Sequence, residues 1–291
     1  MTDPLERLVN LLDIENLEIN LFRGQSPTET SQRIFGGQVL GQALVAASRT
    51  VDEDRAAHSL HGYFLRPGDP KVPIVYDVDR IRDGRSFTTR RVVAIQHGRA
   101  IFHMSASFQI SEKGVDHQSK MPDVPAPEGL KTEADLRAEI IDKVPDRLKT
   151  WFSRERPIEI RPIDPFDVMN PPVRGAIKNV WFKARSPLPD DARVHQCVLL
   201  YASDMTLLET TLGPHGLGYL SHNLQMASLD HCMWFHRAFR ADEWMLYAQD
   251  SPSASGARGF NRGEIYSRDG QLIASVTQEG LCRLHEEEPE L

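Results

Sequence analysis

The sequence predicts an α+β protein made of two copies of one unit, each an antiparallel sheet wrapped around a long central helix. An offset of 171 residues lays Phe64 on Phe235, Arg66 on Arg237, Tyr76 on Tyr247 and Arg91 on Arg262. With one inserted residue, Gly98 meets Gly270 and Ile101 meets Ile273. Each copy opens on a run that is apolar on nearly every helical face, the pattern of a buried helix. Several strand-like segments with short turns then follow in each copy, so a sheet has one helix to fold around.

In the first copy a helix is expected from Gln38 to Ala47, a stretch without proline and rich in good helix formers. Gly36 and Gly37 before it permit a sharp turn or a close approach to a ligand. Strands follow at Ser59–Leu65, Val72–Arg82, Ser86–Gln96 and Ala100–Ile110, the last two joined across His97-Gly98-Arg99 as a hairpin. From residue 112 the pattern breaks. Pro122, Pro125, Pro127 and Pro145 among charged residues read as a linker with a short helix near Thr132–Lys143. The expected division is an N-terminal repeat over 1–115, a linker over 116–150 and a C-terminal repeat over 151–291.

The plan then restarts with a strand at Ile158–Pro162 and a second apolar helix from Val194 to Leu208, closed by Gly213-Pro214-His215-Gly216. Strands are expected near Ser228–Phe235 and Trp244–Gln249. A last hairpin runs Gly259–Tyr266 and Gln271–Leu284 and turns at Asp269-Gly270. The acidic segment from Glu286 to Glu290 reads as a solvated tail.

Composition bounds the function. The 291 residues are 40% hydrophobic and 26% charged, as in an ordinary globular protein of two domains or one large one. No apolar run approaches the ~20 residues of a membrane span, and the first residues lack the basic and apolar parts of a secretory leader. Cys197, Cys232 and Cys282 are odd in number and have no paired spacing, which points to a reducing compartment, by default the cytoplasm. A net charge of −7 argues against nucleic-acid binding. Arg80, Arg82, Arg85, Arg90 and Arg91 read as a solvated strand surface.

Asp204 is the sharpest chemical candidate, because it sits toward the end of an almost wholly apolar helix. Either it reaches solvent from the helix end, or it is buried and must be paired, as a tuned base would be. Ser228 stands at a strand start, where a lone serine commonly bonds its own backbone. Gln278 shares a strand face with Leu272, Ala274 and Val276, where its amide needs partners. Ser59 between His58 and His61 lacks a nucleophile elbow. Neither His58 with His61 nor His231 with His236 has a zinc-site spacing, so no metal is expected. Gly36-Gly37-Gln38-Val39-Leu40-Gly41 is neither a phosphate loop nor a dinucleotide fingerprint.

The runs from Phe35 to Ala43, from His58 to Gly68, from Tyr201 to Asp204, from Ser228 to Arg237 and from Ala257 to Phe260 occur in one order over nearly the whole chain. On these the chain resembles the acyl-CoA thioesterase II family, double hotdog enzymes. The resemblance implies hydrolysis of fatty acyl-CoA to free acid and CoA, without a cofactor. It also implies that Asp204, Ser228 and Gln278 hold and activate a water. The family often carries Thr where this chain has Ser228, which keeps the hydroxyl and loses a methyl. A hotdog hydratase or dehydratase is disfavoured: its Asp-x-Asn-Pro-x-His stretch has here only Asp167-Val168-Met169-Asn170-Pro171-Pro172. A non-catalytic acyl-CoA-binding scaffold is disfavoured by retention of all three polar side chains. Hotdog units usually pair, and a homodimer or tetramer is expected.

Overall fold

The computed structural model describes residues 3–27 and 33–286. The acidic run from Glu287 onward therefore lies outside the described residues. The first half of the chain forms α1 (Pro4–Leu12), β1 (Glu15–Glu18), β2 (Leu21–Gly24), α2 (Gly36–Ser48), β3 (Arg55–Phe64), β4 (Ile74–Asp83), β5 (Phe87–Gln96) and β6 (Arg99–Ile110). The connecting stretch carries α3 (Glu133–Ile140) and α4 (Asp146–Ser153). The second half forms β7 (Ile158–Pro162), β8 (Ile177–Ala184), α5 (Ala192–Ser203), β9 (Leu224–Ser228), β10 (Asp230–Phe235), β11 (Met245–Ser255), β12 (Arg258–Ser267) and β13 (Leu272–Leu284).

Among the described residues the strands make one sheet in the order β1-β2-β4-β5-β6-β3-β10-β13-β12-β11-β8-β7, with β9 on β13. The order reads the same from both ends once the halves are exchanged. The halves meet where β3 runs antiparallel to β10, from Asp230 opposite Tyr63 to Trp234 opposite Ser59. Joining there hides two sheet edges that would otherwise stay open. The fold is an α+β double hotdog.

The 171-residue offset survives at the level of single hydrogen bonds. The Leu65 and Arg66 amides both donate to the Ile101 carbonyl, and the His236 and Arg237 amides both donate to Ile273. The Arg66 guanidinium donates to the Ala100 carbonyl, and Arg237 donates to Leu272. Arg91 pairs with Asp79, and Arg262 pairs with Asp250. The two hairpins turn where expected, His97 and Gly98 taking φ of 49° and 69° as such tight turns require.

Helices α2 and α5 lie antiparallel against each other on one face of the sheet. A Cβ on Gly37, near the start of α2, would sit 2.5 Å from the Tyr201 carbonyl near the end of α5. At the other end the Arg193 guanidinium reaches the Ser48 carbonyl. Eleven of the thirteen α2 residues are buried, among them Leu40, Ala43 and Leu44, matching the all-round apolar run. Each such leucine contributes roughly 1.5–3 kcal/mol of apolar burial.

Three sequence expectations change. The second apolar run does not stay helical to Leu208: α5 stops at Ser203, Asp204 caps it, and a 3-10 helix from Leu208 to His215 follows. The run is apolar throughout because both pieces are buried, and periodicity alone does not distinguish one helix from two. Ser228 does not open a strand. It ends β9, and Leu229 separates it from β10 while donating its amide to Glu279 and accepting from Phe64. Arg90 is not a solvated strand residue either. It is 1% exposed, and its guanidinium is used up by the Thr50 hydroxyl and carbonyl and by Asp83. Strand alternation turns Arg90 inward while Arg91 stays out. Several elements went unread: α1, with its stripe of Leu5, Leu8 and Leu12 behind an Asp3 cap, and β1, β2, α4, β8 and β9.

Candidate active site

Four elements meet at Asp204. It caps α5; Gln278 arrives from the middle of β13, Ser228 from the end of β9, and the Gly37 amide from the start of α2. The structure thus brings together all three residues singled out in the sequence, from positions 24 and 74 residues apart. Gln278 Nε2 donates to Asp204 Oδ1 at 2.6 Å and lies 3.0 Å from Ser228 Oγ. Ser228 Oγ is itself 3.5 Å from Asp204 Oδ1, a long contact.

The approach of α2 is what closes the site. A Cβ on Gly36 would fall 2.7 Å from Asp204 Oδ2 and 3.0 Å from the Phe64 ring. Only glycine leaves room there. The amide end of a helix also carries partial positive charge, which favours a carboxylate. On the other side the Tyr247 hydroxyl donates to the Ser203 carbonyl at 3.1 Å and fixes the end of α5.

Asp204 does not reach solvent freely, for it is 9% exposed, and Gln278 is 0% exposed. Burial raises the Asp204 carboxyl from 3.8 to about 6, against the bonds from Gln278, the Gly37 amide and Ser228, which pull it down. A carboxylate so placed is ionised at neutral pH yet basic enough to take a proton. Gln278 Oε1 is buried with no partner among the described residues, so a free acceptor lies beside that carboxylate.

His231 is the neighbour that sequence reasoning weighed only as a metal ligand and set aside. Its ring is 0% exposed and its Nδ1 lies 3.9 Å from Asp204 Oδ1. Burial lowers its pKa to about 3, so it is neutral. The alternation of β10, which turns His231, Met233 and Phe235 inward, was the signal for it. His58 and Ser59 contribute nothing here; His58 bonds Ser107 on the outward face of the sheet.

The matching place in the first half holds other side chains. Across β12 and β13, Asn261 faces Gln278; across β5 and β6, Arg90 faces Ala106. Ser228 faces Gly280, while Ala57 faces Phe108. Neither alanine offers an amide or hydroxyl.

Known proteins share this plan. Residues 25–109 match the family described as acyl-CoA thioesterase N-terminal domain, and residues 148–281 match acyl-CoA thioesterase. The chain is 43% identical to acyl-CoA thioesterase 2 of Haemophilus influenzae, over 98% of this chain and 100% of that protein. It is 44% identical to acyl-coenzyme A thioesterase 8 of Mus musculus, over 95% of this chain and 89% of that one. A crystal structure of an acyl-CoA thioesterase II from Mycobacterium marinum, 44% identical, superposes with a TM-score of 0.76 over 96% of this chain and 99% of that chain. By sequence over almost its full length, and by fold, the chain belongs to the acyl-CoA thioesterase II family of thioester hydrolases.

Proposed function

We propose that the protein hydrolyses fatty acyl-CoA to free fatty acid and CoA, with Asp204 as the general base for a water positioned by Gln278 and Ser228. The observation that carries this reading is the buried contact of Gln278 Nε2 with Asp204 Oδ1 at 2.6 Å, beside an unpartnered Gln278 Oε1. Nε2 holds the carboxylate, which leaves Oε1 to accept one water hydrogen while Asp204 accepts the other. A water fixed by two acceptors has its remaining lone pair aimed elsewhere, and reaching attack geometry then costs less entropy. As the oxygen attacks the thioester carbonyl, its proton passes to Asp204. A general base of this kind contributes roughly 10²–10⁴-fold.

Release of free thiol from a panel of fatty acyl-CoAs tests the reaction, and Asp204→Asn and Gln278→Ala test the roles. Each variant should lose on the order of 10²-fold or more in kcat with an unchanged circular dichroism spectrum. Wild-type turnover in either removes that residue from the mechanism. The reading includes a reducing, cytoplasmic setting, supported by the free thiols of Cys197, Cys232 and Cys282. It also includes a dimer or tetramer, supported by Tyr63, 52% exposed, and Phe87 on the outward sheet face. Light scattering that returns a monomer mass removes the second point.

A further inference from the structure

His231 is buried in contact range of the base, yet one of its ring nitrogens has no partner. The end of α5 decides which one. Asp204 gives its own amide to Ala202, so the Leu200 carbonyl is left without its usual helical donor. The Ser203 hydroxyl fills that gap, donating to Leu200 at 2.8 Å. A hydroxyl has one proton, so Ser203 Oγ can only accept from His231 Nε2, 2.9 Å away. The ring is neutral, and this bonding assigns its single proton to Nε2. Nδ1 is then a bare lone pair, fully buried, with no donor among the described residues and Asp204 Oδ1 at 3.9 Å.

Two acceptors facing each other in a dry site repel when the carboxylate is charged and attract when it is protonated. The 3.9 Å separation exceeds a hydrogen bond by about 1 Å, a gap that a rotation of the carboxylate narrows. Other titratable groups near Asp204 offer it no counter-charge. Tyr201 on α5 and Tyr247 on β11 are held as neutral phenols by burial, with Asp204 adding to each. Among the described residues no Lys or Arg pairs with Asp204.

We infer that His231 is a positioning residue for the base: its bare Nδ1 disfavours charge on Asp204 at rest and accepts a hydrogen bond from Asp204 once the carboxyl has taken a proton. The inference rests on Asp204 acting as base. In the first step a water O–H bond breaks, the proton goes to Asp204, and the oxygen forms a bond to the thioester carbonyl carbon. His231 Nδ1 holds the new O–H in place. On collapse the C–S bond breaks, the sulfur leaves with the bonding pair, and the Asp204 proton passes to it to give the thiol. The imidazole neither gains nor loses a proton through the cycle.

Two variants separate this from a packing role. His231→Asn places an amide near the Nδ1 position and can turn an N–H toward Asp204. His231→Gln reaches the Nε2 position and keeps a partner for Ser203. The acid limb of the kcat/KM profile should move at least one pH unit lower in His231→Asn and much less in His231→Gln. A limb at the wild-type pH in His231→Asn overturns the inference, even if kcat falls. Should the variants fail to fold, nitrogen NMR of the histidine-labelled wild type decides the matter: the Nε2–H tautomer with unprotonated Nδ1 is expected, and a proton on Nδ1 overturns it. Failure of the base assignment is distinguishable, because Asp204→Asn would then keep its activity whatever tautomer His231 adopts.

Discussion

Where β12 and β13 set Asn261 beside Gln278, β5 and β6 set Arg90 beside Ala106. The backbone is doing the same thing in both places, down to paired amides on one carbonyl. The side chains are not. In the second half a carboxylate at the end of α5 is buried without a cationic partner and meets an amide with a spare acceptor. In the first half the corresponding depth is filled by an arginine whose donors all go to protein oxygens. One half keeps an unbalanced polar group, which is what a reacting base requires. The other satisfies its polar group completely, as a structural core must.

That contrast can be broken from either side. The largest expected effect lies in the first half. Arg90→Leu orphans the Thr50 carbonyl, takes one donor from the Thr50 hydroxyl and removes the Asp83 pair, so chemical denaturation should show a loss of about 3 kcal/mol. Turnover per folded molecule should stay as in wild type. A fall in kcat with unchanged stability would place the first half in the chemistry.

Asp204→Asn should act in the opposite sense on stability. The folded carboxyl sits at about 6 rather than 3.8, so its charge opposes folding at neutral pH. At ~1.4 kcal/mol per pH unit this is on the order of 1–3 kcal/mol, less whatever the new amide loses against Gly37. The gain should be full above pH 6 and vanish as pH falls below about 4, where wild type is protonated in both states. Thermal melts of both proteins at pH 8 and pH 4 measure it. Equal melting temperatures at pH 8 would mean the carboxylate is not desolvated.

On the proposed role of Asp204 as base, the same ionisation sets the pH dependence of catalysis. Below about pH 6 the base is protonated, and kcat/KM should fall tenfold per pH unit. A flat profile from pH 7 to pH 4.5 would exclude Asp204 as the titrating base. The smallest effect is expected of Ser228→Thr. The hydroxyl stays, and β9 accepts a β-branched residue well, so kcat should remain within about threefold. Ser228→Ala removes the hydroxyl near Gln278 Nε2 and should cost roughly tenfold. Equal rates for Thr, Ser and Ala would make Ser228 a bystander.

Much of this was legible in the chain. The repeat was visible because matched residues do matched jobs: Arg66 and Arg237 bond a carbonyl beyond a strand end, Tyr76 and Tyr247 are buried within strands, and Arg91 and Arg262 pair with an aspartate on the neighbouring strand. Gln278 stood out because strict alternation put an amide among Leu272, Ala274 and Val276. The end of α5 was not legible, since Leu207 and Leu208 stay apolar for reasons of burial after the helix has stopped. Nor was the burial of Arg90, whose partners Thr50 and Asp83 lie 40 and 7 residues away and carry no local signal. His231 was passed over for a related reason. Its proposed role depends on which way the Ser203 proton points, and that follows from a helix end visible only in three dimensions.

The claim at the centre is that the second half alone supplies the base. The most direct measurement is kcat for thiol release from a fatty acyl-CoA by Asp204→Asn, with Arg90→Leu measured beside it. A loss of 10²-fold or more in Asp204→Asn, with folded Arg90→Leu at the wild-type rate, is the expected result. Turnover by Asp204→Asn within tenfold of wild type would contradict the account.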